Sequence, residues 1–595
     1  MKIAFSCWFV LFYSLTIFSQ EVSFRKYGGW LESAYIEWQP VDETTSYNVY
    51  YSGQGTVNRK IDNQLIRCYK HGSYRADILG LKPGNYTTLV APIIQNSEQI
   101  KTTNSIDVIA NDRGGFAFFN NRIVGGYNLD GTPKSGAVIL YITEETKNTT
   151  QLNVTGANSN PYIDLQAILN GFKKGKDNRP LIVRLIGQIT DPLELLNGDI
   201  VIENKQNSNS SVTLEGVGED AVIDVLGIRL KNASNIEIRN IGIINVNSGE
   251  GDNIGLQQEN DHIWGHNVNF FYGDAGSDAD QVKGDGALDC KRSKYVTFSY
   301  NHFWDTGKTN FFGLSETQED PDLLITYHHN CYNHSDSRHP RARYYTAHVY
   351  NNYYDCNSKY DVGFTKGSSV FVENNYFENC KYPILTSLQG RDIAYGNGIF
   401  SGEDGGTVKA FENTIIGESR FDPYGAVGPT NSTTNFDAIV TETRNETISN
   451  TITSKAGSNI YNNFDTNEVL WYTYNVDSAE DAKTKVMQFS GRLNGGDFNQ
   501  PADDTSSTVN QPLKTALLNY TTNLACIQGI SLPPNDQILV VTKDNTDKDI
   551  IEGNSLQNIV FTWVGKAIDA NVTGLPASGI IKYSCIQILL KTDYL

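Results

Sequence analysis

Methionine is almost missing, at 2 residues in 595, and charged side chains make up only 19% of the chain. A helical bundle or a highly charged disordered chain would not have this composition. Base is scarcer than acid, with 48 Lys and Arg against 67 Asp and Glu, for a formal net charge of −19. That excludes general nucleic-acid binding, so a polyanion would have to be met by a local basic patch or a bound cation. No CxxC occurs, which removes the usual zinc-ribbon spacing. After the first twenty residues no apolar run is long enough to cross a bilayer, so stable membrane insertion is not expected. The run at the start, "MKIAFSCWFVLFYSLTIFSQ", has Lys2, about fifteen apolar residues and then small Ser19. It reads as a signal peptide over residues 1–19, with a membrane anchor as the rival, of a secreted, extracellular protein or a periplasmic or cell-surface one. Beyond Cys7 the seven cysteines are widely spread, and Cys290, Cys331, Cys356 and Cys380 fall at comparable repeat positions. They read as buried thiols rather than a disulfide framework.

What is abundant is glycine, at 52, and tyrosine, at 33, within an aromatic content of 11%. This favours strands and turns and an all-β class. Residues 33–51, "SAYIEWQPVDETTSYNVYY", alternate so that Ala34, Ile36 and Trp38 share a face. "ILGLKPGNYTTLVAPI" then sets a turn at Pro83 and Gly84 before a strand carrying Tyr86. Over residues 20–110 this resembles a fibronectin type III sandwich, which would put Trp38 in the core and Tyr86 at the tyrosine corner. Such a module spaces or binds, and no catalytic set lies within it. "NDRGGFAFFNN" (111–121) reads as a junction to the next domain.

"DLQAILNGFKK" places Leu165, Ile168, Leu169 and Phe172 on one helical face. Short β runs come after it: 236–243, 263–270, 296–303, 325–332, 348–354 and 370–377. They share an asparagine, at Asn240, Asn267, Asn301, Asn330, Asn352 and Asn375. The intervals suit the rungs of a parallel β-helix with loops let into some of them, and are too short for propeller blades. The asparagines are expected to form one ladder up the stack. The β-helix is assigned residues 115–520. Residues 530–595, with "GNSLQNIVFTWVGKAIDANVTGLPASGI", resemble part of an Ig-like sandwich.

Acids punctuate these rungs. Glu250 and Asp252 alternate along one extended segment, as do Asp285 and Asp289 at spacing four, so each pair can share a face. Stacking the rungs would gather four carboxylates, which repel one another unless a hard cation such as Ca²⁺ binds. "GDAGSDADQ", with Asp274, Asp278 and Asp280, is a rival metal loop. Downstream stand Lys308 and "SDSRHPRARYY", with Arg338, Arg341 and Arg343 in six positions. A cation site beside lysine and arginines is the arrangement a sugar-acid chain needs.

In this order the residues resemble the secreted pectate lyases, over about 160–415. The resemblance implies a right-handed parallel β-helix, Ca²⁺ held by Glu250, Asp252, Asp285 and Asp289, and a substrate-binding lysine at Lys308. The family's RxPxxR signature matches residues 338–343, implying Arg338 as catalytic base and Arg343 as a second substrate-binding residue. Glu250 stands where the family has aspartate. Gly265 stands where it has Asp before His266, which reads as a structural hydrogen-bonder. The implied activity is β-elimination of de-esterified polygalacturonate by a monomer, giving 4,5-unsaturated oligogalacturonides. Pectin lyase, a polygalacturonase-type hydrolase and a non-catalytic polyuronate-binding protein are the other readings.

Overall fold

The computed structural model describes residues 22–99, 101–190, 198–249, 251–271, 283–313, 320–394, 402–417, 419–427, 432–466, 472–498, 515–530, 569–573 and 587–591. Glu250, the rival loop acids Asp274, Asp278 and Asp280, and the leader over 1–19 therefore lie outside the described residues. So does most of the 530–595 tail, of which Asp569–Thr573 and Gln587–Lys591 form one antiparallel pair.

The N-terminal strands, from Phe24–Trp30 to Lys101–Val108, form two facing antiparallel sheets. Alternation buries Trp38, Tyr47, Val49 and Val90 between them. The Tyr86 hydroxyl donates to the Lys82 carbonyl at 3.0 Å, tying the turn to the strand it enters. One sheet takes its outer strand, Leu524–Ile527, from the far end of the chain, and a disulfide joins Cys68 to Cys526. The four repeat cysteines Cys290, Cys331, Cys356 and Cys380 are buried free thiols.

The rest is a parallel β-helix. Among the described residues its strands make three parallel sheets of eleven, nine and eight strands, each winding visiting them in turn. One rung is Leu324–His328, then Cys331–Asn333, then Arg341–Ala342. No rung can bury its apolar face alone, so equivalent side chains stack. Phe270, Phe303, Tyr332, Tyr354 and Phe377 lie face on face, with ring planes 5–9° apart. Leu165–Phe172 forms the expected helix, capped by Asp164, which accepts from the Ala167 amide at 2.6 Å. Gln166 bonds both the amide and the carbonyl of Val201, satisfying the edge of the first strand of the third sheet.

The asparagine ladder is real but differs from the expected one. Asn301, Asn330, Asn352, Asn375 and Asn413 bond side chain to side chain at 2.9–3.0 Å. Asn240 and Asn267 sit one position earlier in their rungs, with φ of 55° and 53°. Asparagine is favoured at such left-handed bends for its own reason, so the residue type alone could not separate the two positions. In later rungs the bend is taken by Tyr300, His329, Asn351 and Asn374.

Between residues 432 and 527, where the rung pattern fades in sequence, the described segments run back along the stack. Ile439–Val440 pairs with the last long strand, and Asp477 meets Asn351. The helix Ala479–Phe489 then leads to Leu493, whose amide donates to Asn240. The arm finishes in the sandwich, whose core also takes in Ile186 and Val217 from the β-helix. Buried Glu32 pairs with Arg113 at 2.5 Å, across the junction. The sandwich is thus part of the β-helix's own packing. A chain beginning at residue 112 is expected to melt well below the full chain, because it exposes Ile186, Val217 and Ile527 at ~1.5–3 kcal/mol each. Thermal melts of both chains check this; equal midpoints would show that the interface adds nothing.

Candidate active site

The third sheet carries the site. Gly286, Lys308, Ser337 and Tyr360 form successive parallel bridges, which puts Asp285, Lys308 and Arg338 on three consecutive windings. Neighbouring strands are about 4.8 Å apart, so these residues, distant in sequence, are neighbours along one stretch of the stack. Asp289 pairs in register with Gly255, just beyond Asp252.

Asp252 and Asp289 meet at a missing side chain, and Asp285 is near enough to act on Asp289 through its charge. A Cβ on Gly286 would lie 2.5 Å from Asp289 Oδ1 and 2.7 Å from Asp252 Oδ1. Both carboxylates press against Gly286, and only its missing side chain leaves them room. Asp285 lies beside Gly251, where an added Cβ would stand 3.3 Å from the Asp285 Cβ. The Asp289 carboxyl is pushed up to about 6, chiefly by burial and further by Asp285, against the pull of Arg338, Lys291 and the Phe311 amide. That amide donates to Asp289 Oδ1 at 3.0 Å. Oxygen-only donors gathered in one place have the chemistry that suits a hard cation such as Ca²⁺.

Lys308 Nζ stands 3.8 Å from Asp285 Oδ1. Arg338 has φ 68°, and its carbonyl accepts from the Asn310 amide at 2.8 Å. The left-handed turn is where the chain leaves the stack before re-entering it at Arg341–Ala342. Arg338, Arg341 and Arg343 ring one aromatic face, with guanidinium carbons 5.7, 5.6 and 5.4 Å from the centre of Phe311. Burial, and then the neighbouring Arg338, hold Arg341 below the usual guanidinium value against the pull of Tyr360. His339 is fully buried and its Nδ1 lies 3.0 Å from Asp361.

Arg343 is held in a fork by Glu403, which also takes Arg341 at 3.1 Å. Sequence reading missed Glu403, since it lies sixty residues beyond the arginines with no motif around it. Lys291, 3.9 Å from Asp252, was also missed, although its place two residues after Asp289 could have suggested it. His266 is buried between Asn267 and Glu237, at 2.9 and 3.2 Å, with its ring stacked on Trp264. It belongs to a structural ion network with Arg239 and Glu215, away from the groove.

The family model described as pectate lyase matches residues 87–494. The chain belongs to the pectate lyase family. It is similar to a pectate trisaccharide-lyase of Bacillus licheniformis, at 34% identity over 203 residues, which is 33% of this chain and 58% of the relative. It is also similar to pectate lyase A of Emericella nidulans, at 35% over 224 residues, 37% of this chain and 63% of the relative. The chain thus spans about three-fifths of the length of these relatives. Among solved structures, a Bacillus sp. N165 pectate lyase in complex with trigalacturonate aligns at 25% identity and TM-score 0.43. That alignment covers 64% of this chain and 98% of that one.

Proposed function

We propose that this protein is a Ca²⁺-dependent pectate lyase that cleaves de-esterified polygalacturonate by β-elimination. The observation that carries the reading is the groove itself. Acid oxygens converge at Gly286, and Lys308 and Arg338 sit on the next two windings. A polyuronate offers the matching pattern, one carboxylate per sugar.

Asp252, Asp285 and Asp289, with Glu250, would hold the cation. When bound, Ca²⁺ would supply charge neutralisation of the uronate carboxylate, which acidifies the proton at C5. The chain's own residues do the rest. Lys308 attracts the substrate carboxylate and orients the sugar. Arg338 takes the C5 proton, and the glycosidic oxygen at C4 departs with the bond's electron pair, leaving a C4–C5 double bond. Arginine is an unusual base because its guanidinium holds its proton tightly. Phe311 carries Arg338 on its face and fixes the approach of the fork. Arg343 would bind a further uronate carboxylate in exchange for Glu403. The N-terminal sandwich we read as a fibronectin type III-like module, and the protein as secreted.

The test is ultraviolet absorbance of the conjugated product. Turnover of polygalacturonate should raise it, and chelator should stop the rise until Ca²⁺ is restored. Rates should fall steeply as methyl esterification of the substrate increases, since each ester removes a charge that the cation and Lys308 would hold. Reducing ends without new absorbance would instead identify a hydrolase. Calcium-independent cleavage of fully esterified pectin would identify a pectin lyase.

A further inference from the structure

Away from the groove, three segments of chain that the catalytic reading does not use meet at one point. Asp112 lies in the junction after the sandwich, His328 ends a strand of the first sheet with His329 at the bend after it, and Asp477 lies in the returning arm. Donor atoms of Asp112, His328 and His329 all fall within 4.8 Å of one another. We propose that these three side chains form a second metal site, for a late first-row divalent transition ion, which ties the junction and arm to the β-helix.

The geometry is specific. The Nδ1 atoms of His328 and His329 are 3.0 Å apart, and Asp112 Oδ2 is 4.0 Å from His328 Nδ1. Bonds of about 2.0–2.2 Å to one ion span both separations. The short one sets the two imidazoles side by side, and the long one sets the carboxylate nearly opposite His328. Such wide angles suit tetragonal or octahedral coordination, and the nitrogen-rich donor set separates the site from the oxygen-only cluster of the groove.

The surrounding groups hold the donors ready. His329 Nε2 lies 2.8 Å from Asp477 Oδ2, so that nitrogen carries the proton and Nδ1 keeps its lone pair. A carboxylate behind a ligating imidazole is the usual support of a metal-bound histidine. Lys485 donates to the same oxygen at 2.5 Å. On Asp112 the other oxygen, Oδ1, accepts from the Gly114 amide at 2.9 Å, which aims Oδ2 at the histidines. Both rings are fully buried and clamped: His328 stacks on Tyr350 with planes 6° apart, and His329 on Tyr300 with planes 8° apart. The left-handed bend at His329, φ 52°, brings consecutive residues to one point where an extended strand would send them to opposite faces. The Asp112 side chain is 30% exposed, which leaves a path for the ion.

Without an ion, His328 Nδ1–H can donate to His329 Nδ1, and that hydrogen-bonded chain is the alternative to be tested. The tag-free full chain, stripped with chelator and held in saturating Ca²⁺, is dialysed against Ni²⁺. One equivalent should bind and raise the melting midpoint. His329→Ala should abolish both effects. Asp477→Asn, which keeps the shape, should weaken binding ~10–100-fold, and Asp112→Asn should weaken it as well, with circular dichroism checking each fold. No bound Ni²⁺ in the native chain, or equal binding in folded His329→Ala and Asp112→Asn, would leave only the hydrogen-bonded pair and overturn the site. The lyase reading is unaffected by either result.

Discussion

Arg338→Lys is expected to give a folded protein that still holds polygalacturonate but turns it over ~10²–10⁴-fold more slowly, the range lost with a general base. The backbone argues that folding survives. Its φ of 68° is strained for arginine and lysine alike, and the carbonyl that accepts from Asn310 does not depend on the side chain. The charge is kept, so attraction to the uronate persists in part. What goes is the planar fork over Phe311, 5.7 Å from the ring centre, and with it the nitrogen that the proposed base would bring to C5. Arg343→Lys should behave differently. Its proposed task is to hold a carboxylate, so KM should rise more than kcat falls. Measuring kcat and KM for both at saturating Ca²⁺ decides the matter. Near-normal kcat in Arg338→Lys would move the base elsewhere, with Lys308 the next group to test.

Gly286→Ala is the second large effect, and only the structure suggests it. The added methyl would stand 2.5 Å from Asp289 Oδ1 and 2.7 Å from Asp252 Oδ1, closer than any real contact. One or both carboxylates must turn away, and the point they share is filled. Loss of Ca²⁺ binding and a fall in turnover on the order of 10²-fold or more are expected, since a Lewis-acid metal supplies several kcal/mol to such a reaction. Asp289→Asn, which keeps the volume and removes a charge, should share the loss. Calorimetric titration with Ca²⁺ alongside activity checks both. Full Ca²⁺ affinity in Gly286→Ala would place the ion somewhere other than this cluster.

The sequence by itself determined the repeating parts. Apolar alternation at rung-sized intervals implied stacking, because a rung buries nothing alone, and the helix over Leu165–Phe172 was plain in its apolar face. The acids, Lys308 and the arginines were legible as a set because their order and residue types match a family pattern. Tertiary structure decided the rest, for reasons of distance. Asparagine suits both a ladder and a left-handed bend, so only the stacked windings separate Asn240 and Asn267 from Asn301 onward. Glu403 meets Arg343 across sixty residues, and the arm that returns to the sandwich at Leu524–Ile527 has no periodicity of its own. Its path is set by partners on windings far earlier in the chain. The same holds for Asp112, His328, His329 and Asp477: four ordinary residues in sequence become a cluster only where junction, stack and arm are pressed together.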